Sequence, residues 1–168
     1  MKITGGKADS FTRSPDPAAR CILIYGPDTG LVRERLDKLT RSVVEDPSDP
    51  FLVAELGLAQ VKETPSLLAE ESAAIAMTGG RRVVRLREAD DSLTKTMEGF
   101  LADIPGDALI LVTAGDLAAR SRLRKLFEGA KNAAALPCYA DDQRALDALV
   151  REHMRNAGVE ISPDAVAF

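Results

Sequence analysis

Five short apolar blocks recur along the chain, each separated from the next by a stretch with helical spacing, and this alternation limits the fold more than any other feature. The blocks are Cys21–Tyr25, Phe51–Leu56, Arg82–Leu86, Ala108–Val112 and Ala133–Tyr139. Their length and content of Val, Ile and Leu suit buried strands, and Cys-Ile-Leu-Ile-Tyr has no polar alternation, as expected of a strand covered on both faces. Between the blocks, apolar residues return every three or four positions. Val32, Leu36, Leu39 and Val43 predict a helix over about 29–45, and Leu93, Met97, Phe100 and Ile104 predict another that Asp90-Asp91 would cap. Thr64-Pro65 and Gly79-Gly80 bracket a third, and Ser121–Lys131 forms a fourth with Leu123, Leu126 and Phe127 inward. Strand–helix alternation of this kind predicts an α/β fold of three layers: a mainly parallel five-stranded sheet between helices, over about 20–140.

The segments outside that body read differently. Residues 1–19 are polar and contain Ser14-Pro15-Asp16-Pro17, which predicts an N-terminal arm with at most one short element around Phe11. Residues 141–168 predict the start of a small helical domain. Gln143–Asn156 carries Leu146, Leu149, Val150 and Met154 at helical spacing, and Ser162-Pro163-Asp164 would open a further helix that the chain, expected to continue, leaves unfinished.

Charge and composition exclude several function classes. The net charge of −4 provides no chain-wide positive field for nucleic acid or an anionic membrane. No apolar run approaches the ~20 residues of a bilayer-spanning helix, and the start lacks a secretory signal, so an intracellular, cytoplasmic chain without membrane contact is expected. Cys21 and Cys138 lie in or beside apolar blocks and read as core thiols. His153 stands alone on a polar stretch, far from a metal-ligating or acid–base partner in sequence. No serine has a Gly-x-Ser-x-Gly context.

The turn after the first block, Gly26-Pro27-Asp28-Thr29-Gly30, occupies the place of a phosphate loop. Such a loop wants Gly, four residues, then Gly-Lys-Ser/Thr, because the lysine neutralises the outer phosphates and the hydroxyl holds magnesium. Counted from Gly26, those positions hold Leu31, Val32 and Arg33, and Gly30 comes one residue early. Gly26 and Gly30 therefore mark a degenerate loop, beside which Asp28 opposes an anion. Glu88, Asp90 and Asp91 follow the third block, where a magnesium-binding acid would stand, but the two aspartates suit a helix cap better. Two basic clusters remain: Arg81, Arg82, Arg85 and Arg87 around the third block, and Arg120, Arg122, Arg124, Lys125 and Lys131 on the later helix. No aromatics interleave with either, so a solvated face, a phosphate contact or a subunit contact stays open for them, and a base-stacking platform does not.

Several blocks match one family in order. Leu23-Ile24-Tyr25-Gly26-Pro27-Asp28-Thr29-Gly30-Leu31-Val32-Arg33-Glu34, Asp49-Pro50-Phe51 and Thr78-Gly79-Gly80-Arg81-Arg82-Val83-Val84 resemble the delta-subunit family of the bacterial DNA polymerase III clamp loader. Ala114-Gly115-Asp116-Leu117, Ser121 with Leu123-Arg124-Lys125-Leu126-Phe127-Glu128, and Pro137-Cys138-Tyr139 are similar to its alphaproteobacterial branch. The resemblance implies a P-loop NTPase-like, AAA+-type domain without a working Walker A loop and with no cofactor. It also implies an accessory subunit of the DNA-directed DNA polymerase, a nucleotidyltransferase holoenzyme, that is not catalytic by itself. The implied partners are the beta sliding clamp and the gamma/tau and delta prime subunits, with primed DNA only within the assembly. Family members open the clamp with apolar side chains at the end of the helix leading into strand three, which places Ile75, Ala76 and Met77 at the clamp contact. The family more often has Leu-Phe where Ala76-Met77 stands here. Burial of a large apolar side chain is worth ~1.5–3 kcal/mol, so Ile75 and Met77 would have to compensate. Packing of Ile75 against the sheet is the alternative for that residue. For the whole chain the alternative is a small P-loop-like NTPase or phosphotransferase with an unconventional loop at Gly26–Gly30.

Overall fold

The computed structural model describes residues 1–77 and 79–139; the expected helices at 143–156 and from Ser162, with the second domain they would begin, lie outside the described residues, as does His153. Five strands, β1 (Cys21–Tyr25), β2 (Val53–Gly57), β3 (Val83–Ala89), β4 (Leu109–Ala114) and β5 (Ala133–Pro137), form one sheet in the order β2-β3-β4-β1-β5. Every neighbouring pair is parallel. The helices are α1 (Gly5–Arg13), α2 (Thr29–Arg41), α3 (Leu58–Glu63), α4 (Leu67–Ala73), α5 (Thr94–Ala102) and α6 (Arg122–Gly129), with a 3-10 turn at Asp91–Leu93 before α5. Among the described residues, no helix is long and apolar enough to cross a membrane.

Parallel strands need crossovers, and the crossovers cover both faces. Cys21, Leu23 and Tyr25 of β1 enter one core with Val61 of α3, Leu68 of α4, Met97 and Phe100 of α5, and Leu123 and Phe127 of α6. Ile22 and Ile24 enter the other with Ala8 and Phe11 of α1 and Leu36 and Leu39 of α2. Since successive side chains point to opposite faces, all five residues of β1 are buried, which explains its unbroken apolar run. Edge strand β2 instead exposes Glu55.

Several expected boundaries move. Residues 1–19 are not a free arm. Ala8, Phe11 and Thr12 of α1 are buried at helical spacing. Ile3 donates its N–H to the Ala135 carbonyl (3.0 Å), and Ala135 donates to the Met1 carbonyl (2.9 Å), so the open edge of β5 is covered. Arg35 of α2 ties this segment down by donating to the Asp9 carboxylate (2.8 Å) and to the Pro137 carbonyl.

The helix expected between Thr64-Pro65 and Gly79-Gly80 is α4, which ends at Ala73, and a further short helix, α3, precedes Thr64. The loop after α5 stops α4. Ser72 donates its hydroxyl to the Pro105 carbonyl (2.8 Å), and Gly106, at φ 64°, lies so close that a Cβ there would sit 2.3 Å from the Ser72 carbonyl oxygen. Helix α2 stops at Arg41 rather than 45. Strand β3 runs on to Ala89 through an irregularity in which Glu88 takes φ 61°. Phe51, expected as the first residue of strand two, lies in the turn before it.

Candidate functional site

The two ends of the sheet differ, and each holds one of the features singled out from sequence. At the C-terminal ends of β1, β3 and β4 a cleft of about 360 Å³ is lined by Gly26, Thr29, Arg33, Arg87, Glu88 and Gly115. In parallel α/β sheets ligands bind at this end, where strand order reverses. Here the turn is occupied by its own chain. Gly26 donates its N–H to the Gly115 carbonyl (3.1 Å) and Asp28 donates to the Cys138 carbonyl (3.3 Å). A Cβ on Gly26 would sit 2.0 Å from that Cys138 oxygen, so glycine is required there for backbone passage.

The start of α2 is closed in the same way. A phosphate at a helix N-terminus would be held by free backbone N–H groups. Leu31 instead donates to the Asp28 carboxylate (2.9 Å) and Val32 to the Asp28 carbonyl (3.0 Å). A carboxylate thus stands where the anion would go. Of the nearby cations, Arg87 pairs with Glu55 (2.7 Å), while Arg33 is exposed. Glu88 lines the cleft, but Asp90 and Asp91 are turned to capping. Asp90 accepts from Ser92 N–H (2.8 Å), and Asp91 accepts from the Ser121 hydroxyl (2.6 Å) and Leu123 N–H (3.0 Å) at the start of α6. These donors hold the Asp91 carboxyl below the usual carboxylate range, the Ser121 hydroxyl most of all. Among the described residues, no three His, Cys, Asp or Glu side chains converge as a metal set.

At the opposite end lies the segment after α4. Ile75 is 91% exposed and Met77 93% exposed, whereas Ala76 between them is 6% exposed. The backbone turns extended at Ala74, so the three residues do not form a helix tip. Alternation decides their roles: Ala76 faces the body and offers no side chain to a partner, and Ile75 does not pack on the sheet. Phe51, in the turn before β2, is 61% exposed at this same end. Sequence reasoning counted Phe51 as a strand residue. Its signal was the flanking Asp49-Pro50, which favours a turn over a strand.

Neither basic cluster is a free cationic face as a whole. Arg82 is buried and donates to the Phe51 carbonyl (3.0 Å), the Glu71 carbonyl (2.9 Å) and the Glu71 carboxylate (3.0 Å). Arg85 is buried against Thr40 of α2 and pairs with Asp37 and Glu55, both at 3.2 Å. On α6, Arg124 turns inward. It pairs with Glu128 (2.9 Å), donates to the Leu117 carbonyl (3.2 Å) and lies 5.0 Å over the Tyr25 ring, so its guanidinium is engaged within the chain. Arg120, Arg122 and Lys125 remain exposed. Cys21 and Cys138 are buried free thiols, and burial pushes both above the usual thiol range.

No family model matches the chain, and no curated protein matches it. Solved structures do. The DNA clamp loader delta protein of Bacillus subtilis is similar over 96% of this chain and 50% of its own, with a TM-score of 0.67 at 15% identity. A DNA polymerase III gamma subunit-related protein of Thermotoga maritima is similar over 87% of this chain and 49% of its own, with a TM-score of 0.54 at 15% identity. The chain spans about half the length of these proteins. The fold is therefore a three-layer α/β domain around a parallel five-stranded sheet, similar to that of these two clamp-loader-type proteins.

Proposed function

We propose that this chain is a delta-type subunit of a DNA polymerase III clamp loader, which binds and opens the beta sliding clamp without nucleotide chemistry of its own. The observation that carries the reading is the pair Ile75 and Met77, two large apolar side chains left almost wholly in water on a fold shared with a clamp loader delta protein. Each is worth ~1.5–3 kcal/mol when a partner buries it. If the pair binds an opened clamp interface more tightly than a closed one, that difference shifts the ring towards opening, and no bond need be broken in this subunit.

The C-terminal cleft supports the non-catalytic part of the reading. Asp28 places negative charge against the N–H groups that a phosphate would need, and the Walker lysine and hydroxyl positions hold Val32 and Arg33. Nucleotide would then act in the neighbouring gamma/tau subunits. Arg120, Arg122 and Lys125 supply an exposed cationic strip for those subunits, for delta prime, or for primed DNA within the assembly. The setting is the cytoplasm.

Titration of the chain with purified sliding clamp tests the reading, and a parallel titration with a fluorescent ATP analogue and magnesium tests its rival. Clamp binding that is lost in Ile75→Asp and Met77→Asp is the expected result. Micromolar nucleotide affinity with hydrolysis, and no clamp binding, would replace it with the NTPase or phosphotransferase alternative.

A further inference from the structure

Four large apolar side chains are exposed among the described residues, and Phe51, Ile75 and Met77 share one end of the sheet. Phe51 precedes β2 by two residues, the 74–77 segment leads towards β3, and these adjacent strands pair in register from Val53 and Val83. One side chain joins the Phe51 turn to α4, the helix before the 74–77 segment. The Arg82 guanidinium, itself buried, donates at once to the backbone carbonyl of Phe51 and to the backbone and carboxylate of Glu71 in α4.

Phe51 is also held outward by its own turn. Its N–H donates to the Asp49 carboxylate (2.8 Å), and Leu52 and Val53 donate theirs to the Asp49 carbonyl (3.2 and 2.9 Å). Leu52 and Val53 thereby join the core while the ring stays in water. A backbone held in place before a partner arrives need not be ordered on binding, which suits the base of an interface anchor. Beside it a cleft of about 530 Å³ opens between the 47–50 turn and Glu71, floored by β2.

We propose that Phe51 is a third anchor of the surface that Ile75 and Met77 present, so that one partner covers all three, with Arg82 holding the Phe51 turn against α4. The occupant is the sliding clamp, and in this the inference rests on the function proposed above. Area favours a shared occupant. A stable complex buries about 800 Å² on each partner, more than two aliphatic side chains supply, and an aromatic ring adds roughly 150–250 Å² next to them.

The test is clamp binding by the full chain, measured beside its melting temperature. Phe51→Asp is expected to weaken clamp binding roughly tenfold or more, Phe51→Leu to restore most of it, and both to melt near the parent chain. Should Phe51→Asp melt early, Phe51→Ser replaces it with the same expectation. Parent-like binding by the Phe51 variants, with binding lost in Met77→Asp, overturns the third anchor and leaves the proposed function standing. A parent chain that binds no clamp overturns both.

Discussion

The two ends of the sheet differ in what they leave for a partner. At the C-terminal end the loops are knitted to one another: Gly26 to Gly115, Asp28 to Cys138, and Asp91 to the start of α6. At the N-terminal end Arg82 joins the turn of Phe51 to α4, while Phe51, Ile75 and Met77 stay in solvent. The contrast is one of surface chemistry: hydrogen bonds within the chain at one end, uncovered apolar side chains at the other. Where backbone donors are consumed within the fold, no ligand can claim them. Where apolar side chains are left over on a rigid frame, a partner can.

Substitutions at the two ends should therefore fail in different ways. The largest effect is expected from Gly26→Ala, whose Cβ would meet the Cys138 carbonyl oxygen at 2.0 Å. Forced displacement of β5's exit should lower unfolding free energy by roughly 3 kcal/mol or more, seen in denaturant melts. Met77→Asp should be next, weakening clamp binding by about 2 kcal/mol with stability within about 1 kcal/mol, by titration and thermal melt. A large stability loss there would erase the contrast. Asp28→Ala removes a helix cap and should lower stability by about 1 kcal/mol, read from the melt. If the same change also created phosphate affinity, it would sharpen the argument that the carboxylate keeps anions out.

The smallest effect is a pH dependence. Asp91 has its folded pKa depressed by the Ser121 hydroxyl and the Leu123 N–H. Its contribution is fully present above the ordinary carboxyl value of 3.8 and disappears as pH falls through the lower folded value. Asp91→Asn should flatten the acid limb of a stability–pH curve relative to the parent chain.

Much of the body was legible because its signals are local. The unbroken run Cys21–Tyr25 announced a central strand, and the Walker positions could be counted without coordinates. What escaped depended on contacts distant in sequence. The end of α4 is set by Pro105 and Gly106, so the helix stops three residues before Ala76. The burial of α1 was visible in the spacing of Ala8, Phe11 and Thr12, but Gly5-Gly6 and the surrounding polar residues masked it. Arg124 looked like a surface cation because a helix face by itself does not reveal that Tyr25 of β1 lies beneath it.

Periodicity and turn chemistry by themselves determined the strand–helix alternation, the parallel α/β class and the loss of the phosphate-loop residues, since each is written within a few neighbouring positions. Only the tertiary structure decided which apolar residues stay in water and which cations are consumed inside. Burial is a property of what packs against a residue, and for Arg82 and Arg124 a decisive neighbour comes from elsewhere in the fold, the Phe51 carbonyl for one and the Tyr25 ring for the other.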